Sequence, residues 1–293
     1  MFNMLALATG VILAVMIQIN GALSGQYGSY QAALYIHIVG ACGAALLLLL
    51  RHKPIRTKSK VSLWMCTGGM IGVATTVFNN LAFSHISLTS IVALELFAEL
   101  AFSCLIDAFG WLGMQRRGKG DMSIIGMLLS AAGIALLLDS SAAGAWVYVL
   151  MSMGAGVTVV LSRTVNAHLS ERIGALPGSL VNHLAGMPIC LLLMLLIPET
   201  AAGGDFRLWM WCGGLLGVAT VACYNVIVPK LPASRVTLLS LCGQLFCGIT
   251  LDLAVGNAFE LRQFGAALLV AAGIVISQLT KLYREKKACK QIK

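Results

Sequence analysis

The apolar residues of this chain fall in blocks of about 18 to 22, separated by short polar breaks; that is the length a helix needs to cross a hydrocarbon core about 30 Å thick. Of 293 residues, 59% are apolar and 11% charged, against about a quarter charged in an ordinary soluble domain, so water is not the main solvent of this sequence. Spanning helices are expected near residues 3–24, 29–50, 61–83, 86–110, 122–139, 145–162, 176–197, 208–228, 236–256 and 262–280. A β-barrel is disfavoured, because blocks such as 41–50 and 191–197 are apolar on every face instead of alternating. The expected fold class is an all-α integral membrane protein with ten transmembrane helices.

The loops supply an independent check on that count, since cytoplasmic loops carry the excess of Lys and Arg. With the N-terminus placed inside, 18 of the 20 basic residues fall on the cytoplasmic side, Arg163 among them, and only Arg207 and Arg262 lie outside. A wrong helix count would scramble this segregation. The net charge of +9 therefore reads as topology and not as a nucleic-acid surface, and the basic tail at 281–293 faces the cytoplasm, within reach of anionic lipid. The nine cysteines are scattered, with no CxxC pair and no Cys/His cluster at ligand spacing, so neither a disulfide framework nor a metal site is indicated. The first twenty residues lack the basic flank and cleavage site of a signal peptide, and they recur later in the chain.

That recurrence organises everything else. At an offset of 146, Asn20 meets Asn166, Ser24 meets Ser170, Gly28 meets Gly174, His37 meets His183 and Gly40 meets Gly186. At an offset of 145, the run beginning Trp64-Met65 meets Trp209-Met210, Gly68-Gly69 meets Gly213-Gly214, Asn80 meets Asn225 and Asp107 meets Asp252. The matched Asn, His and Gly matter most, because leucine matches mean little in an apolar chain. Each repeat holds five helices, an odd number, so the second must run in the opposite sense. The expected organisation is a first five-helix repeat at 1–140, an inverted second at 145–280 and the basic tail. Inverted repeats are used chiefly by secondary transporters, where rocking about an axis in the membrane plane exposes one site to each side in turn.

Three motifs sharpen this reading: Gln18-Ile19-Asn20-Gly21 followed by Gly28, the repeated Gly-Gly-x-x-Gly-Val at Gly68 and Gly213, and Gly243-Gln244-Leu245 followed by Asp252. With them the whole chain resembles the bacterial YdcZ-like branch of the drug/metabolite transporter superfamily, in its fused ten-helix form. The resemblance implies export of a small molecule across the bacterial cytoplasmic membrane, while the charge bias places both termini in the cytoplasm and no cofactor motif is visible in the sequence. One departure stands out: Glu99, with Glu95 one turn earlier, occupies the first-half position that matches Gln244.

Glu95 and Glu99 lie near the middle of the fourth span, and their i,i+4 spacing puts both on one helix face. Ionised carboxylates at that depth cost at least about 2.5 kcal/mol each unless they meet water, a partner or a proton. Two such acids cannot both ionise cheaply, so a site exchanging protons for a small cation is expected there; the competing reading is an acid that only ties helices together. Ser240 and Gln244 hold the equivalent places in the second half, so the acidic centre belongs to one half alone. His37, His183, Asn20, Asn166, Asn80 and Asn225 are further candidates for substrate or ion contact, each with a rival role as interhelical glue. Asp107 and Asp252 are expected to cap helices or gate, and Arg163 and His168 to lie just beyond the sixth span, reaching lipid headgroups or a cytoplasmic gate. The glycine pairs Gly68/Gly72 and Gly213/Gly217 are small-residue packing stripes inside apolar helices, not nucleotide loops.

The expectation is thus a secondary transporter, not an enzyme, with a small-molecule substrate, protons and the lipid bilayer as partners, no metal, no nucleic acid, and room for a homodimer. A channel and a non-transporting helper subunit are the main rivals, and an intramembrane enzyme is the remote one.

Overall fold

The computed structural model describes residues 1–51, 57, 60–83, 85–86, 88–114, 116, 124–138, 144–199, 203–255 and 261–291. Among them are ten α-helices: α1 (Phe2–Tyr27), α2 (Ser29–Leu50), α3 (Gly68–Phe83), α4 (Leu88–Phe109), α5 (Ile124–Ala135), α6 (Trp146–Ile173), α7 (Ala175–Leu196), α8 (Cys212–Ile227), α9 (Ala233–Val255) and α10 (Leu261–Gln291). Short 3-10 turns, Leu63–Thr67 and Leu208–Trp211, lead into α3 and α8. By length and composition, six described stretches are apolar enough to cross a membrane: α1, α2, α6, α7, α8 with its leading turn, and α9 up to Leu251. Backbone polar groups have no water to bond in a hydrocarbon core, and helices satisfy them internally.

Two C-terminal boundaries differ most from the sequence expectation. The sixth helix runs eleven residues past 162, to Ile173, and the tenth continues to Gln291. In α6 the apolar run is interrupted by Arg163, yet the helix persists because that side chain is buried, with 5% of its surface exposed. Arg163 does not lie beyond the span at the headgroups.

The first four helices pack mainly on partners from the second set of five. α1 lies against α8 and α9, α2 against α7 and α8, α3 against α6 and α7, and α4 against α6 and α9; α5 pairs with α10. Small residues make the close approaches. A Cβ at Gly10 of α1 would strike the carbonyl of Ser240 on α9, and one at Gly156 of α6 would strike the carbonyl of Glu95 on α4. Where α2 crosses α7, the ring of His37 occupies the space a Cβ of Gly186 would take, and the ring of His183 that of Gly40. Lipid tails are as apolar as leucine, so such contacts, and not water exclusion, hold membrane helices together.

Both tight reversals use one residue. Gly28 (φ 86°, ψ 156°) joins α1 to α2, and Gly174 (φ 99°, ψ 159°) joins α6 to α7. Each closes its first helix by donating its N–H to a carbonyl four residues back, Ser24 and Ser170, and accepts from the second helix at Ala32 and Gly178. This backbone region is essentially reserved for glycine, and a side chain there costs about 1–3 kcal/mol. Gly28→Ala should lower the unfolding midpoint more than Gly174→Ala, because a Cβ at Gly28 would also lie 2.8 Å from the Glu199 carboxylate, whereas at Gly174 the nearest atom is 3.5 Å away. Thermal unfolding of the two purified variants in detergent tests the order.

Candidate functional site

The contact of Gly156 with the Glu95 carbonyl sets α6 close along α4. Two turns further on, the same face of α6 carries Arg163, which is thereby delivered to Glu99. Arg163 Nη1 donates to Glu99 Oε1, forming an ion pair whose side chains are 4% and 10% exposed. Nη2 donates to Ser103 Oγ (2.9 Å) on α4 and to Thr237 Oγ1 on α9. The guanidinium also stands 5.8 Å from the centre of the Tyr224 ring on α8, a cation–π distance. Ser103 and Thr237 bond each other at 2.9 Å. One cation on α6 therefore ties together α4, α8 and α9.

The two glutamates have different surroundings. Glu99 is 8% exposed and neutralised by Arg163. Glu95 is half-buried, and its Oε2 accepts a 3.0 Å bond from Asn79 Nδ2; no cation pairs with it among the described residues. That bond orients the Asn79 amide, and its Oδ1 is buried without a partner. In the second half, the Ser240 hydroxyl donates to the Ala6 carbonyl at 3.2 Å, while Gln244 is half-buried and makes no hydrogen bond among the described residues.

Asp107, two turns beyond Glu99, accepts from the backbone N–H groups of Ala233 (2.7 Å) and Ser234 (2.8 Å) and from the Ser234 hydroxyl. It thus holds the N-terminus of α9, where unpaired N–H groups favour negative charge. The side chains of Asn80 and Asp252 lie outside the described residues.

The histidines and the remaining asparagines occupy other places. His37 and His183 meet edge to face with ring centres 5.5 Å apart; His37 Nδ1 bonds the Ala33 carbonyl at 2.9 Å, whereas both ring nitrogens of His183 are buried without partners. Asn166 Nδ2 donates to Asn182 Oδ1 at 2.7 Å. Asn225 Nδ2 donates to the Ala175 carbonyl at 3.0 Å, fastening α8 to the start of α7. The Oδ1 atoms of Asn20 and Asn166 rest against Gly213 and Gly68, at the starts of α8 and α3. Among the described residues no three His, Cys, Asp or Glu side chains come together as metal ligands would.

Residues 1–136 and 147–276 match the family described as "Putative inner membrane exporter, YdcZ". The chain belongs to the YdcZ family. It is accordingly a multi-pass membrane protein of the exporter kind, a transporter and not an enzyme. A protein from Methanoregula boonei named "Putative manganese efflux pump MntP" is 29% identical over 159 residues, 54% of this chain and 71% of that relative. A protein known from a crystal structure superposes over 94% of this chain and 97% of its own with a TM-score of 0.72 at 16% identity, which shows a shared fold. In this YdcZ-family chain the charged cluster straddles both matched segments: the first supplies Asn79, Glu95, Glu99 and Ser103, the second Arg163, Tyr224 and Thr237.

Of the residues in this cluster the sequence singles out the two glutamates and sets Arg163 at the headgroups, and no motif points to Asn79, Tyr224 or Thr237. A signal for Arg163 was present. The offset that aligns Asn20 with Asn166 and Gly28 with Gly174 sets Arg163 against Ile17, well inside the first apolar block, so a basic residue stands at a membrane-helix position.

Proposed function

We propose that the protein is a secondary exporter of a small polar or cationic metabolite or drug, working by alternating access and exchanging its substrate for protons at Glu95. The observation that carries this reading is the contrast between the two acids: Glu99 is spent on Arg163, while Glu95 accepts from the Asn79 amide and has no cation beside it among the described residues. A carboxylate without a cation in that position is stabilised by a proton or by a positively charged ligand, and the two compete.

The moving parts in this reading are two inverted five-helix repeats, 1–140 and 145–280. Its support is the recurrence of contacts at the repeat offset: Gly10 on Ser240 answers Gly156 on Glu95, and Gly40 under His183 answers Gly186 under His37. Both termini are proposed to be cytoplasmic. Arg51, Arg116, Arg172 and Lys230 follow or end α2, α4, α6 and α8, and Arg235 opens α9, all at one end of the helices in this topology; Arg207 and Arg262 stand at the other. The manganese in the relative's name does not enter this reading, which rests on Glu95.

Proteoliposomes with an acidic interior test it. Labelled organic cations such as tetraethylammonium should accumulate in exchange for internal protons, saturably, and accumulation should stop when the gradient is collapsed. Glu95→Gln should lose gradient-driven accumulation. Undiminished accumulation in Glu95→Gln would overturn the reading, and flux that neither saturates nor depends on the gradient would indicate a channel instead.

A further inference from the structure

We infer that Arg163 sets the valence of the transported ligand: by neutralising Glu99 it leaves one net negative charge at the site, so the ligand that competes with a proton there is a monovalent cation. This inference rests on the reading of Glu95 just given and narrows it. The sequence alone presents two carboxylates one turn apart, a site of charge −2 suited to a dication or to two protons. The folded chain presents a different sum.

The charges around the cluster can be followed helix by helix. α4 brings Glu95 and Glu99, and α6 brings Arg163, which is bonded to Glu99. α3 brings the neutral Asn79, α8 the phenol Tyr224 and α9 the hydroxyl Thr237. Asp107 is two turns away along α4, its oxygens are taken up by N–H and O–H groups at the start of α9, and the buried Arg235 stands in that same first turn of α9, so one further negative and one further positive charge meet at that helix end. Among the described residues the remainder is one carboxylate, Glu95, which is also the more accessible of the two.

Arg163 is well fixed for this task. Hydrogen bonds to Glu99, Ser103 and Thr237, with Tyr224 against its face, hold the guanidinium between helices of both halves, and a guanidinium does not lose its proton in proteins. Its charge is therefore a constant of the site, while that of Glu95 is the variable. Arg163 acts as a positioning and charge-setting residue and need not touch the ligand.

The test compares dissociation constants of the purified full chain for tetraethylammonium and for Mn²⁺, read by thermophoresis. Wild type should bind the monovalent probe and prefer it to Mn²⁺. Arg163→Gln exposes a second full charge, and at about 6 Å with an effective dielectric of about 20 this should move the preference toward Mn²⁺ by on the order of a hundredfold. Because Arg163→Gln can fail to fold with Glu99 left alone, Glu99→Gln/Arg163→Gln is made alongside; it has one carboxylate again and should restore the monovalent preference. Preference of the wild type for Mn²⁺, absence of monovalent binding, or a valence preference unmoved by Arg163→Gln would each overturn the inference. The proton-exchange reading stands or falls separately, on whether accumulation of any solute in proteoliposomes depends on Glu95.

Discussion

Replacing Arg163 with leucine is expected to destabilise the folded bundle by about 3–5 kcal/mol, because it strands the Glu99 carboxylate in the interior without its cation. The loss should exceed that of any isosteric apolar change nearby, since three further groups, Ser103, Thr237 and the Tyr224 ring, lose their partner at the same time. Adding Glu99→Gln should recover most of it. A buried pair is weakly stabilising as a whole and expensive to break by halves, so the double variant is expected to lie much nearer to wild type than Arg163→Leu does. Denaturation by SDS titration of the two variants gives both values. An Arg163→Leu protein within about 1 kcal/mol of wild type would mean that Glu99 finds water or a proton at no cost, and the pair would then not organise the site.

The second large effect concerns packing and is a comparison of glycines. Gly156→Ala and Gly10→Ala should each cost about 3 kcal/mol, the upper end of overpacking penalties, because the atoms in the way are the carbonyls of Glu95 and Ser240, and backbone cannot rotate aside. Gly21→Ala, also in α1, has nothing within 4 Å of its added Cβ and should stabilise by up to about 1 kcal/mol through helix propensity. Opposite signs for Gly10 and Gly21 within one helix would show that close approach, and not glycine content, decides. Equal effects would contradict the α1–α9 contact.

The six long apolar helices are legible because the hydrocarbon core imposes a length, and a length is visible in apolar runs without knowledge of tertiary contacts. The ends are less so. A charge such as Arg163 reads as the end of a span, and α6 runs past it because that charge is paired inside the protein. The same pairing hid the character of the site: i,i+4 spacing put Glu95 and Glu99 on one face, but which of them carries a partner depends on α6, about 60 residues away in sequence, and no local pattern encodes that. At the repeat offset Asn80 meets Asn225 while Asn79 meets Tyr224, so the sequence singles out Asn80; that the Asn79 side chain reaches Glu95 on α4 is a tertiary contact that periodicity within α3 does not reveal. The histidines are legible as a pair because the sequence recurs at an offset of 146, and the two rings meet where α2 crosses α7.

The single-residue joints at Gly28 and Gly174 limit how this molecule can rearrange. A connection of one residue has no slack, so α1 cannot slide along α2, nor α6 along α7, by even one helical turn without breaking the joint. Each hairpin therefore keeps its register, and a large displacement has to change the angles between helices and not their alignment along one another. A crosslink that fixes the register of the two arms beside Gly28 or Gly174 should leave turnover intact, whereas a crosslink where α2 crosses α7 should arrest it.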